Sequence, residues 1–425
     1  MSFFKINKIV VGLVTVILLA SCGTTHKIKN ELKQDAKESS FFKGFVLYNP
    51  ATQKEVINQN GAKYFTPASN TKLYTFYTAF KTLKDSVTSL AYYQTNDSLI
   101  IKGTADPTLL YYGNDSTKVI DFLKKAPQAI YMVDAAIDET PYGSGWAWDD
   151  YQEYYMPDKS LFPIYGNLLR YKQMADTIQS TPTYFKKAIT VLDSISLTRD
   201  LNENQFYLEK GKTSTYEVPF KTSNQLVATL LSEQLGKPVT LIKNTSKYTY
   251  QYLSGMSLDE LYKQFLKVSD NFFGEQLLLQ VSKTVNDTYN VQEAIRYSLT
   301  NYLSDLPQKP RWVDGSGLSR YNLFTPNDMV FLLNKMYAEI SFEKLKYYLP
   351  AVGESGTLKK WYGNDKPFVF AKSGALSNNY NLSGYIVTKK GTILIFSYMN
   401  NHYKIPTSQL KKEMEKLFLT IYNKY

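Results

Sequence analysis

Leu73, Phe76, Tyr77, Phe80 and Leu83 recur at three- and four-residue spacing, which predicts a helix starting near Pro67 with one face to bury. Just before it, Phe41 to Tyr48 is an apolar strand, followed by a turn at Asn49-Pro50 and a shorter strand around Val56, the pattern of a β-hairpin. The far end of the chain has the same texture. "PFVFAKSGAL", "NLSGYIVTKK" and "GTILIFSYMN" read as three strands, the last two joined by a tight turn at Lys389-Lys390-Gly391. The closing "TSQLKKEMEKLFLTIYNKY" has the pattern of an amphipathic helix. Strands from both ends, with helices between, predict one α/β sheet domain closed by its two termini. Between residues 85 and 245 short aromatic strands alternate with Asp, Asn, Gly and Pro turns, as in "SLIIKGTADPTLLYYG" and "GSGWAWDDYQEYYMP". That stretch reads as a β-rich insertion. Helical periodicity returns with "LDELYKQFLKVSDNFFGEQLLLQVS".

The first 40 residues follow neither pattern. Lys5 and Lys8 precede an apolar run from Ile9 to Ala20, too short to span a bilayer. The run ends in Leu19-Ala20-Ser21-Cys22, which resembles the lipobox of bacterial lipoproteins. That resemblance implies cleavage before Cys22, lipidation of its thiol, and a chain tethered to a membrane on the periplasmic side, the outer membrane expected ahead of the inner. Cys22 is the single cysteine, so it has no disulfide partner within the chain. Residues 22–40 are polar and charged and read as a tether. The expected organisation is therefore a signal peptide over 1–21, a tether over 22–40, a catalytic domain over 41–84 and 246–425, and an inserted domain over 85–245.

The chain is 44% apolar overall, and the part beyond residue 40 is large enough for two or three domains. The net charge of +11 comes from basic residues scattered among acidic ones, the pattern of a solvated surface and not of a nucleic-acid footprint. Histidine is more decisive. There are two, His26 and His402. An H-E-x-x-H zinc site is excluded, and a Ser-His-Asp triad would have to use His402 without a G-x-S-x-G elbow. In a hydrolase of this composition, lysine is the candidate base.

Ser69 and Lys72 lie three residues apart at the head of the first predicted helix and so share a face, where an amine in apolar surroundings activates a hydroxyl. Spacing alone does not single them out, since Ser-x-x-Lys also begins at Ser2, Ser40, Ser341 and Ser408. Ser269-Asp270-Asn271 stands just before an apolar helix, Phe272 to Leu279, where Ser and Asp are natural caps. Lys372-Ser373-Gly374 lies within a predicted strand. An interior glycine weakens a strand unless something approaches its backbone closely.

In the order Ser-x-x-Lys, Ser-x-Asn, Lys-Ser/Thr-Gly, these three elements resemble the signature of penicillin-recognising serine enzymes. The flanking stretches "PASNTKLYT", "GTADPTL", "GWAWDD", "SDNFFGEQLL", "VDGSGLSRYNLFTP", "LPAVGESGTL" and "FAKSGALSNNYNLSGY" resemble the class C low-molecular-mass penicillin-binding proteins, the D-alanyl-D-alanine carboxypeptidase/endopeptidase family, from about residue 41 to 420. The resemblance implies a penicillin-binding, serine β-lactamase-like α/β domain with a large insertion between the first two motifs. It implies peptidoglycan stem peptides as substrate, β-lactams as covalent inhibitors, and no metal or cofactor. Ser69 would be the nucleophile and Lys72 its base, with a pKa lowered by the nearby Lys372. Ser269 would pass a proton to the leaving amine, and Asn271 would orient Lys72 and the substrate amide. Lys372 and Ser373 would hold the terminal carboxylate, Gly374 would leave room for substrate, and the backbone of Ser69 and Ala375 would cradle the oxyanion. Asp150, with Asp149 as the alternative, would face the free amine of the stem's diamino acid. There are two departures: Ser373 replaces the commoner threonine, and Lys359, Lys360 and Trp361 stand where the family usually carries an arginine after Gly356-Thr357-Leu358. A β-lactamase or esterase of the same fold, and a wall-binding lipoprotein without catalysis, are the competing readings.

Overall fold

The structure, a computed structural model, describes Asn30, Gln34 and residues 39–175, 177–243, 248–361 and 366–425. The expected signal peptide, Cys22 and almost all of the tether lie outside the described residues. Among the described residues, fifteen strands follow one another. They are β1 (Phe42–Asn49), β2 (Lys54–Gln59), β3 (Ser86–Gln94), β4 (Ser98–Lys102), β5 (Ala129–Asp134), β6 (Leu168–Met174), β7 (Thr177–Thr181), β8 (Ile189–Leu192), β9 (Phe206–Glu209), β10 (Tyr216–Pro219), β11 (Val239–Lys243), β12 (Gln251–Ser257), β13 (Val369–Leu376), β14 (Asn379–Val387) and β15 (Ile393–Asn401).

The two ends of the chain meet in one antiparallel sheet of order β13-β14-β15-β1-β2. Its interior strands are buried on both faces, their polar residues Asn381, Ser383, Ser397 and Asn400 included. The period of two still sorts them. Leu394, Phe396 and Tyr398 face the C-terminal helix Thr407–Lys424, meeting its Leu410, Met414, Phe418 and Ile421. Ile395 and Met399 face the opposite way, toward a helical layer that includes Leu73, Leu278, Met329 and Leu333. The tight turn after β14 is closed by Gly391 at φ +83, a left-handed conformation suited to glycine.

Inside that helical layer runs the helix Lys72–Thr82, entered through a 3-10 turn over Ala68–Thr71. The sequence predicts one buried face. In the structure every residue from Lys72 to Ala79 is buried, because the helix is central and its buried threonines are bonded internally, Thr75 to the Gly315 carbonyl and Thr78 to the Tyr74 carbonyl and to Ser298.

Among the described residues, the inserted region carries nine strands, β3 to β11, and two α-helices that its turn-rich sequence does not announce. A second, mixed five-stranded sheet of order β11-β5-β4-β3-β12 is covered by two helices, Thr117–Lys125 and Asn224–Leu235. Leu226, Val227, Leu230 and Leu231 do carry helical spacing, but it sits among aromatic, turn-rich segments that obscure it. β12 reaches Ser257, so the second sheet extends past the expected boundary at 245 and ends where the helix Leu258–Val268 starts. Here β-pairing with β3, which no local pattern announces, sets the limit.

Candidate active site

Two glycines hold the Ala68–Thr71 turn in place. A Cβ on Gly374 would lie 2.4 Å from the Pro67 carbonyl oxygen and 3.0 Å from the Ser69 nitrogen. A Cβ on Gly317 would lie 2.0 Å from the Ala68 carbonyl oxygen, and its φ of +82 favours glycine in any case. The close approach that Gly374 permits is therefore to the serine-bearing turn, in place of the room for substrate expected from the sequence. Asn70 ties the same turn to the sheet: its amide donates to the Lys372 carbonyl at 2.8 Å and accepts from Ser383 Oγ at 2.7 Å.

Lys72 Nζ has all three hydrogens occupied, by Ser69 Oγ at 2.9 Å, Asn271 Oδ1 at 2.6 Å and the Ser316 carbonyl at 2.6 Å. Complete burial of the ammonium lowers its pKa to about 8, against the opposing charges of Asp314, Asp270 and Glu275. Burial is the first cause, where the sequence pointed to the second cation. Lys372 is also buried, and burial followed by the charge of Lys72 puts its pKa well below the ordinary lysine value. Its Nζ donates to Ser269 Oγ at 2.7 Å and to the Ser373 carbonyl at 2.8 Å.

Ser269 does not cap the helix Asn271–Asn286; Asp270 does, accepting from the Phe273 amide at 2.9 Å. Ser269 closes the preceding helix instead, in the left-handed region at φ +65, where a non-glycine residue costs on the order of 1 kcal/mol or more. That turn aims its hydroxyl at Lys372. Asn271 places one amide hydrogen on the Tyr155 carbonyl at 3.0 Å while its oxygen meets Lys72.

A groove of about 530 Å³ runs over these groups, lined by Ser69, Ser269, Asn271, Ser373 and Ala375. β13 is the edge strand of its sheet and forms one wall. Asp149 and Asp150 both line the far side, on a 3-10 turn where neither makes a side-chain cap, and Asp150 Oδ1 accepts from the Tyr155 hydroxyl at 3.0 Å. Thr357 lines the groove with its hydroxyl 2.7 Å from Ser373 Oγ. Lys359 and Lys360 are absent from that lining, and Trp361 packs on Tyr380.

Several residues here had no role assigned from the sequence. Ser316 supplies the third acceptor to Lys72, and its own amide donates to Glu275 Oε1 at 2.8 Å. Glu275 is buried, and burial with the charge of Asp314 raises its pKa to about 7. Asp314 accepts from the Gly317 amide, the Asn322 amide group and Trp146 Nε1, tying "VDGSGLS" to the loop that carries Asp149 and Asp150. Arg320 also lines the groove. The repeated polar residues of "VDGSGLSRYN" were the available signal, but nothing local says what they bond.

A helix-backed antiparallel sheet with a serine bonded to a buried lysine, and a second serine bonded to a second lysine, defines a serine enzyme of the penicillin-binding type. The D-Ala-D-Ala carboxypeptidase 3 (S13) family profile matches residues 24–183 and 209–420, and the chain belongs to that family. It is 25% identical over 411 residues to penicillin-sensitive carboxypeptidase A of Dictyostelium discoideum (80% of this chain, 78% of that one). It is 24% identical over 428 residues to the D-alanyl-D-alanine carboxypeptidase DacB of Haemophilus influenzae, covering 88% of each. The crystal structure of penicillin binding protein 4 (dacB) from Haemophilus influenzae shares the fold, with TM-score 0.74 and 21% identity over 90% of this chain and 96% of that one. So does the same protein complexed with a β-lactam, at TM-score 0.71 and 19% identity over 93% of this chain and 99% of that one.

Proposed function

We propose that the chain is a serine DD-carboxypeptidase that cleaves the terminal D-Ala-D-Ala bond of peptidoglycan stem peptides through an acyl-enzyme on Ser69. The observation that carries this reading is the bonded chain from Ser69 Oγ to Lys72 Nζ to Asn271 Oδ1, beside the bonded pair Ser269 Oγ and Lys372 Nζ, with Ser69, Asn271 and Ser269 lining one groove. Neutral Lys72 takes the Ser69 proton as Oγ attacks the carbonyl carbon. The developing oxyanion sits between the amides of Ser69 and Ala375, where a single such donor is worth about 3 kcal/mol in other enzymes. Ser269, supplied by Lys372, protonates the departing D-alanine nitrogen. The hydroxyls of Ser373 and Thr357, with Lys372 behind them, receive its carboxylate, the part the missing arginine would otherwise take. The proton that Lys72 took from Ser69 makes good the one lost through Ser269 and Lys372. Neutral Lys72 then takes a proton from the attacking water and returns it to Ser69 Oγ as the ester breaks.

The same steps on a D-alanyl–diamino-acid bond give endopeptidase action on cross-links. Asp150 meets the free ammonium of the diamino acid at the groove wall. Cys22 carries the lipid that holds the enzyme on the periplasmic side of a membrane, the outer one first. The complex of the Haemophilus influenzae relative with a β-lactam supports β-lactams as covalent inhibitors.

A fluorescent penicillin tests the reading. It should label the soluble domain covalently, and Ser69→Ala should abolish labelling without unfolding the protein. An adduct mapped by mass spectrometry to Ser40 or Ser341 would overturn the assignment, and rapid release of hydrolysed penicillin would mark a β-lactamase.

A further inference from the structure

Beyond the catalytic groove lies a second cleft, of about 370 Å³, that shares Tyr154, Tyr155, Val268, Ser269 and Asn271 with it. The two clefts adjoin, and both are lined by the Tyr154–Tyr155 pair, whose rings meet edge to face at 5.4 Å. Five tyrosines line the second cleft: Tyr111, Tyr112, Tyr154, Tyr155 and Tyr165. Tyr112 and Tyr154 are 69% and 58% exposed, unusual for rings of this size in one small area.

Three of the five hydroxyls are already bonded to protein, Tyr111 to Asp270, Tyr155 to Asp150 at 3.0 Å and Tyr165 to Gln234 at 3.2 Å. What those residues offer the cleft is ring surface. The cleft is also built to hold them. Gly166 is left-handed at φ +64, and a Cβ there would come within 2.7 Å of the Tyr111 ring. Arg170 pairs with Glu217 at 2.8 Å and lies over the Tyr112 ring at 3.4 Å, and the Asp270 carboxylate is taken up by hydrogen bonds from the Tyr111 hydroxyl and the Phe273 amide.

A charged peptide end would need an unpaired opposite charge, and this cleft presents ring faces edged by a neutralised ion pair. That suits a sugar, whose C–H faces stack on aromatic rings while its hydroxyl and acetamido groups bond to the polar edge. We propose that the cleft is a saccharide site for the N-acetylated disaccharide to which the stem peptide is attached. The four residues between scissile bond and sugar reach about 14 Å or more when extended, so a sugar can lie in the cleft that adjoins the one holding the reacting carbonyl. The proposal rests on the peptidase reading of the groove.

The test is a calorimetric comparison in the Ser69→Ala protein, which binds without turning over. A disaccharide-pentapeptide should bind at least about fivefold more tightly than the same pentapeptide without sugar. Tyr112→Ala in that background should remove the gain, leaving the bare peptide within twofold, while Tyr112→Phe should keep it. Because Tyr112 is largely exposed, its loss leaves the core intact, which an unchanged Tm verifies. Equal affinity for the two ligands overturns the proposal. So does a gain that survives Tyr112→Ala, or one reproduced by a sugar-free cross-linked peptide dimer. Penicillin labelling of the unmutated enzyme is read separately, so that its failure sinks the peptidase reading and leaves the binding comparison standing.

Discussion

Lys72 combines two properties that ordinarily conflict: it is fully buried, and all three of its hydrogens have acceptors. Burial favours the neutral form and the three acceptors favour the charged one, and burial prevails, giving a pKa near 8. The base must be neutral to accept the Ser69 proton, so acylation by penicillin should rise about tenfold per pH unit below 8 and level off above it. A rate flat from pH 6 to 9, measured with pre-steady-state labelling, would show that Lys72 is not the group that titrates. Lys72→Arg keeps the charge but cannot be deprotonated, so acylation should fall by at least about 100-fold. A rate within tenfold of the unmutated enzyme would assign the proton to another group. Asp150→Ala should lower kcat/KM about tenfold or more for a stem peptide with a free amine, since such contacts are worth ~1.5–3 kcal/mol. Penicillin acylation, which lacks that amine, should hardly change. Equal losses on both substrates would mean a disturbed fold.

At the scale of elements, the site is a junction. The Ala68–Thr71 turn is pinched between Gly374 on β13 and Gly317 on the loop after Asp314, and Ser269 sits in a strained left-handed turn between two helices. Gly374→Ala brings a methyl group against the Pro67 carbonyl, a rigid backbone atom, so the turn must shift. Penicillin acylation should then fall by at least about tenfold, with a fall of a few degrees in Tm measured calorimetrically. An unchanged acylation rate would show that the serine turn is held by other contacts. The three motifs were legible as sequence because each is local, within three to four residues. Their joining was not: Asn70 bonds Lys372, Lys72 bonds Ser316 and Asn271, and each partner is distant in the chain.

For the whole molecule, early and late segments of the described chain build one five-stranded sheet and the middle builds three more sheets, so the groups around the groove depend on long-range closure. If Cys22 anchors it, Cys22→Ser should move the protein from the membrane fraction to the soluble fraction and abolish palmitate incorporation, leaving penicillin labelling intact. Retention in the membrane fraction without the cysteine would remove the anchor proposal. By itself the sequence determined the family, the three short motifs, the strands at both ends and the closing helix, because period, turn chemistry and motif spacing act over a few residues. It did not reveal the helices Thr117–Lys125 and Asn224–Leu235 or the reach of the second sheet to Ser257, which packing and strand pairing decide. Tertiary structure alone assigned Gly374 to the serine turn, made burial the main cause of the lowered Lys72 pKa, and brought Ser316, Glu275 and Asp314 beneath the site. The physical reason is that exclusion of water and long-range hydrogen bonds exist only once the distant segments have packed together.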